Sequence, residues 1–215
     1  TDYLEILVHG AGRFVAFSRY AERIFHSADG LAWQAVGGLP TSRINAAAFI
    51  DGRFIAVGGD GLILTSADGL TWNSLEIGAN DDLLSICRGK GKYVAGGLDH
   101  TATSEDGVSW TWHPHENAPR RIAYLDGWFL SDDFRKSRDG VHWTAAANDF
   151  PRFYRATSVT FTGNSFLACE GREIWSGSLD MDRPDALTVF HPSGVEIKSR
   201  HGVQYRLHES RNLRD

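Results

Sequence analysis

The sequence predicts an all-β protein: a five-bladed β-propeller of four-stranded meander blades over residues 1–180, followed by a short C-terminal β extension over 181–215. Three observations predict it. A turn phrase recurs, SADGLAW ending at Trp33, SADGLTW at Trp72, SEDGVSW at Trp110 and SRDGVHW at Trp143, in steps of 39, 38 and 33 residues, and a period in this range marks an array or a propeller. A second phrase runs ahead of each turn: GRFVAF from Gly12, GRFIAVGG from Gly52, GKYVAGG from Gly91 and GWFLSD from Gly127. GNSFLACE from Gly163 starts a fifth unit with a degenerate ending. Finally, 23 glycines and seven tryptophans against one methionine suit short strands and tight turns, not a helical bundle.

Each unit reads as four strands. In the second they are 44–50, 54–58, 62–66 and 71–76, separated by DG, GGDG and ADG. Strands of this length joined by Gly/Asp turns form a meander, and Asp-Gly suits hairpins in which both central residues need positive φ. One such sheet cannot bury both of its faces. A ring of sheets buries each against its neighbours. In every turn phrase the serine and aspartate (Ser27 and Asp29, Ser66 and Asp68, Ser104 and Asp106, Ser137 and Asp139) are expected to accept the turn's backbone amides. The tryptophan (Trp33, Trp72, Trp110, Trp143) is expected to fold back into the gap between blades. A role repeated once per blade is structural, because a catalytic site is asymmetric.

These motifs resemble the Asp-box, or bacterial neuraminidase repeat, over roughly residues 3–178. The usual box has one residue between aspartate and glycine; here the two are adjacent, as in bacterial and phage proteins of similar repeat. The resemblance implies a β-propeller. It spans enzymes, lectins and assembly factors, so it leaves the activity open.

In a meandering blade the first and third turns share one end, and the second turns and inter-blade crossovers share the other. The second end carries the variable loops, where binding resides on a rigid scaffold. The expected ligand-binding residues are Arg43, Arg120 and Arg121, then Phe150, Arg152, Phe153, Tyr154 and Arg155. Arginines on three crossovers can clamp a carboxylate, and aromatics beside arginine dominate recognition surfaces. Sialidases are similar in using three arginines and a tyrosine, so a sialidase-like glycoside hydrolase, with Tyr154 as nucleophile, is the alternative. The acid, base and nucleophile set of that chemistry is incomplete here. No enzymatic activity is therefore expected.

His113, His115 and Glu116 lack firm zinc spacing, and Asp81-Asp82 and Asp132-Asp133 lack a calcium-loop pattern. Neither a metal nor a cofactor is expected, and the acidic pairs read as turn and solubility residues. The net charge of -5 argues against nucleic acid, and no apolar run reaches the ~18 residues that span a bilayer. Cys87 and Cys169 sit in apolar segments of different repeats and read as buried free thiols. The chain opens at Thr1, as a processed product or a fragment does. The expected partner is a protein or a glycan, in an extracellular, cell-surface or virion-associated setting. The extension carries ALTVFH, VEIKSR and VQYRLH. One strand is expected to complete the fifth blade, and a hairpin over 195–208 to attach the chain to a larger assembly.

Overall fold

The computed structural model describes residues 4–18, 23–37, 42–76, 81–116, 118–125, 127–133 and 135–145, and the strand backbones 156–162, 165–170, 173–179, 187–188 and 206–207. All regular structure is β apart from one 3-10 turn at Gly59–Gly61, and no helix among these residues is long and apolar enough to cross a membrane. The chain divides into two compact units, Thr1–Ile122 and Ala123–Asp215.

The first unit holds three antiparallel meanders in chain order. The first sheet is β1 (Leu4–Gly10), β2 (Arg13–Ser18), β3 (Ile24–Ser27) and β4 (Gln34–Val36). The second is β5 (Ile44–Ile50), β6 (Arg53–Gly58), β7 (Leu62–Ser66) and β8 (Asn73–Glu76). The third is β9 (Leu83–Gly89), β10 (Lys92–Gly97), β11 (His100–Ser104) and β12 (Thr111–Pro114). β13 (Ile122–Leu125), which begins at the last residue of the first unit, forms a meander with β14 (Trp128–Ser131), β15 (Arg135–Ser137) and β16 (Thr144–Ala145) of the second. Another is β17 (Ala156–Thr162), β18 (Ser165–Glu170), β19 (Glu173–Leu179) and β20 (Leu187–Thr188), with β21 (Arg206–Leu207) also on β19. Thus ALTVFH supplies a fourth strand, and β21, from VQYRLH, pairs with β19 in parallel. VEIKSR, the other arm of the expected hairpin, lies outside the described residues.

The first turn of each meander in the first unit is the expected tight hairpin. Its two central residues both have positive φ, at Ala11-Gly12, Asp51-Gly52 and Lys90-Gly91. That conformation twists with the strands. The DG pairs of the turn phrases differ: Gly30, Gly69, Gly107 and Gly140 have positive φ, whereas their aspartates do not. The connection from third to fourth strand is therefore a longer turn held by side chains, and the fourth strand of the second sheet starts at Asn73, not at Thr71.

Alternation along the second sheet builds two cores. Phe54, Ala56 and Leu64 join Val15, Phe17 and Ile24 of the first sheet, while Ile55, Val57 and Ile63 join Leu83, Tyr93, Ala95 and Ala102 of the third. Because side chains alternate with period two, one strand serves both neighbours. Trp72 lies between Phe17 of the first sheet and Phe54 of its own, at ring separations of 5.6 and 6.1 Å. Trp110 and Trp112 pack on the second core. The same row in the first sheet, Leu7, Ala16, Phe25 and Ala35 across β1 to β4, has no preceding sheet within its unit. Leu7 is 64% exposed and Trp33 36%.

Gly69 shows how close the sheets come. A Cβ there would lie 2.7 Å from Val15 Cγ2 of the first sheet, in a residue already at φ +74. Gly12 has φ +68 but open space around it. Gly12→Ala should cost only the left-handed penalty of ~1–2 kcal/mol, and Gly69→Ala an overpacking cost of ~1–3 kcal/mol more. Urea unfolding of the two variants checks this; equal losses would contradict the packing.

Candidate functional site

The turn phrases form a self-contained hydrogen-bond unit. Asp68 Oδ1 accepts the amides of Leu70 (2.8 Å) and Thr71 (2.9 Å), and Ser66 Oγ accepts that of Gly69 (2.8 Å) while donating to Asp68 Oδ1 (3.1 Å). Asp29 takes Leu31 and Ala32, with Ser27 on Gly30. Asp106 takes Val108 and Ser109, with Ser104 on Gly107. Asp139 takes Val141 and His142, with Ser137 on Gly140. The indole N–H of Trp33, Trp72 and Trp143 donates to the carbonyl of the turn glycine at 3.1 to 3.3 Å. In Trp110 that nitrogen is buried without a hydrogen-bond partner. These polar groups are spent on their own backbone, which suits a scaffold and leaves little for a ligand.

First turns and turn phrases do share one end within the first unit. Arg13 Nε donates to the Asp68 carbonyl (3.1 Å), Arg53 Nη1 to the Asp106 carbonyl (3.4 Å), and the Tyr93 hydroxyl to Asp51 Oδ2 (2.7 Å). Each contact ties a first-turn residue to the adjoining sheet.

At the other end the crossovers are clamped to the sheets. Arg43 pairs with Asp82 at 2.6 Å, and its carbonyl accepts the Gly59 amide at 2.8 Å. A Cβ at Gly58 would sit 1.9 Å from that carbonyl, so only glycine permits the approach. Asp82 Oδ1 also accepts the Asp60 amide (3.3 Å). Asp81, buried, accepts the amides of Asp99 (3.1 Å) and His100 (2.9 Å), with His100 Nδ1 at 3.2 Å. Asp81 is thus a buried hub and Asp82 a half-buried clamp on the crossover, and neither is a solubility element. Ser85 Oγ donates to the Arg120 carbonyl (2.9 Å) and accepts the Ile122 amide (3.0 Å), which fixes the crossover that carries the exposed Arg120 and Arg121. His113 lies on β12; its Nε2 is 2.9 Å from Thr103 Oγ1, and that of His115 is 2.9 Å from Thr101 Oγ1. Desolvation pushes the free Cys87 thiol up to about 12, so it is inert at neutral pH.

Of the expected binding residues, the structure thus fixes Arg43, Arg120 and Arg121 on two crossovers of the first unit. Phe150, Arg152, Phe153, Tyr154 and Arg155 lie outside the described residues. A positional rule emerges that residue-by-residue reading missed: Arg43, Asp82, Arg121 and Arg155 each stand directly before a sheet's first strand, β5, β9, β13 and β17. Aligning the units on those strands, and not on the tryptophans, would have shown Arg43 and Asp82 as opposite charges at equivalent positions.

No protein-family model and no curated protein sequence matches the chain. Solved β-propellers are similar in fold. A structure described as YCF48 bound to D1 peptide is 13% identical at TM-score 0.61, with 87% of this chain and 66% of that one covered. The WD40 propeller domain of Doa1 is 12% identical at TM-score 0.65, covering 88% and 68%. A streptogramin B lyase is 10% identical at TM-score 0.66, covering 87% and 68%. The chain therefore spans about two thirds of the length of these propellers, and the likeness shows an all-β fold of propeller-type four-stranded sheets.

The turn aspartates set an acid limit on stability. Asp29 and Asp68 lie below the ordinary 3.8 chiefly because the amides of Ala32 and Leu31, and of Thr71 and Leu70, donate to the charged form. The amides of Ser109 and Val108 lower Asp106 in the same way. At Asp139 desolvation pulls upward, but the His142 ring and amide and the Val141 amide outweigh it. A carboxyl depressed in the folded state contributes fully above its unfolded value and loses that contribution as pH falls through the folded value. Stability measured by urea should thus hold down to about pH 4 as far as these groups are concerned, and fall below it. Asp68→Asn should flatten that acid limb; an unchanged limb would contradict the assignment.

Proposed function

We propose that the chain is a non-enzymatic recognition module of the Asp-box type, a five-bladed ring whose crossover end binds a protein partner through an acidic segment. The observation that carries this is the contrast between the two ends. One end spends its serines and aspartates on its own amides, whereas the other holds exposed Arg120 and Arg121 on a backbone fixed by Ser85. Pre-fixed arginine pairs well with carboxylates. A peptide-bound neighbour, the YCF48 structure with D1 peptide, is a precedent for a peptide on this fold. Glycans remain the second ligand class. What supports recognition over sialidase-like hydrolysis is that Arg43, the first arginine of such a clamp, is engaged by Asp82. The ring is supported by the open row at Leu7 and Trp33, whose counterparts in the next two sheets are covered.

Peptide and glycan arrays probed with the full chain test the reading. Acidic peptides should bind, and Arg120→Glu should weaken them roughly ten-fold, about 1.4 kcal/mol. Binding that survives Arg120→Glu but is lost in Leu70→Asp would move the site to the opposite end. Aryl glycosides and sialosides should not turn over; hydrolysis abolished by Tyr154→Phe would overturn the non-enzymatic role. In a closed ring Trp33→Ala should destabilise about as much as Trp72→Ala, and an unaffected Trp33→Ala midpoint would contradict closure.

A further inference from the structure

Two turns at the crossover end of the first unit occupy equivalent places and differ in one side chain. The Gly59 amide donates to the Arg43 carbonyl (2.8 Å), and the Leu98 amide to the Asp82 carbonyl (3.2 Å). Arg43 and Asp82 each stand directly before the first strand of a sheet, β5 and β9. Gly59 is buried, whereas Leu98 is 37% exposed. Glycine suffices to close this turn, so the leucine answers no demand of the fold, and its side chain is held out on a fixed main chain.

Leu98 stands between opposite charges. A Cβ at Gly96, two residues before it, would lie 2.3 Å from the Pro119 carbonyl oxygen and 2.8 Å from that of Arg120. One residue after it, the Asp99 carbonyl accepts the His115 amide (2.9 Å). The turn and the crossover thus run side by side, with Arg120 towards one end and Asp99, beside the exposed Glu116, towards the other. Their main chains are engaged, Arg120 by Ser85 and Asp99 by Asp81. Both side chains are exposed, and neither has an ion-pair or hydrogen-bond partner among the described residues.

We propose, resting on the crossover end as the recognition surface, that Leu98, Asp99 and Arg120 select one extended segment of a protein partner in which an apolar side chain stands between an acidic and a basic one. Arg120 takes the carboxylate, Asp99 takes the cation, and Leu98 covers the apolar side chain. An apolar contact inside a polar rim is the usual anatomy of an interface. A segment acidic throughout is rejected, because its second carboxylate meets Asp99 and Glu116. Since the three main chains are already fixed, little further ordering is lost on binding.

The test uses the full chain and two fluorescent peptides, Gly-Ser-Asp-Leu-Lys-Ser-Gly and Gly-Ser-Lys-Leu-Asp-Ser-Gly, one for each chain direction. Controls carry Ser for Leu, or Asp for Lys. One of the two orders should bind at least ten-fold tighter than both of its controls. Leu98→Gly, which installs the residue of the second sheet, should erase the preference for Leu over Ser. Asp99→Lys should turn the preference from Lys to Asp. Urea midpoints confirm that both variants are folded. Equal binding of each peptide and its controls, or preferences unchanged in the two variants, would overturn the inference; acidic peptides that still bind and still depend on Arg120 would then leave the broader reading standing. If no acidic peptide binds the parent chain, both fall together.

Discussion

A four-stranded sheet with apolar side chains on both faces cannot be stable by itself, and every other feature of this chain follows from how that surface is covered. The second sheet shows the solution in full. Phe54 and Leu64 point one way and Ile55 and Ile63 the other, so a single strand pair contributes to two cores. The sheets must come close for this to work. Gly69 allows Val15 of the adjoining sheet to approach within contact of the turn, and Trp72 fills the wedge between Phe17 and Phe54. The serine of the turn makes that approach possible, because Ser66 satisfies the buried Gly69 amide, while Asp68 holds the exposed end of the turn through the amides of Leu70 and Thr71.

The same economy separates structure from recognition. Side chains that cap their own backbone keep little capacity for a partner, which makes Ser66, Asp68 and their counterparts scaffold before they are binding groups. The crossover end obeys a different logic. There the backbone is fixed by groups from other segments: Ser85 on the Arg120 carbonyl and the Ile122 amide, Asp81 on the amides of Asp99 and His100. Fixing the main chain in this way lowers the entropy lost when exposed side chains engage a ligand.

The repeat was legible because each turn phrase contains its own partners within six residues. Ser66, Asp68, Gly69 and Trp72 specify one another, and four copies made the reading firm. What was not legible depends on distant chain segments. Asp81 and Asp82 look like a solvated pair in sequence, but their partners are the second turns of two sheets and Arg43, 39 residues from Asp82. Lys136 and Arg138 lie over the Trp128 ring at 4.6 and 3.8 Å, a pairing created by strand register. β12 extends through Pro114 as the last strand of its sheet, where a missing donor is tolerated, and places His113 beside Thr103 of β11.

The measurement that tests the account most directly is equilibrium urea unfolding of Trp72→Ala beside the parent chain, with array binding measured on the folded variant. Packing between two sheets predicts a loss of roughly 3 to 5 kcal/mol, as for other large-to-small core changes, with ligand recognition retained below the unfolding transition. An unchanged unfolding midpoint together with lost binding would contradict it, and would make the repeated tryptophan part of a site and not the wedge that holds the sheets together.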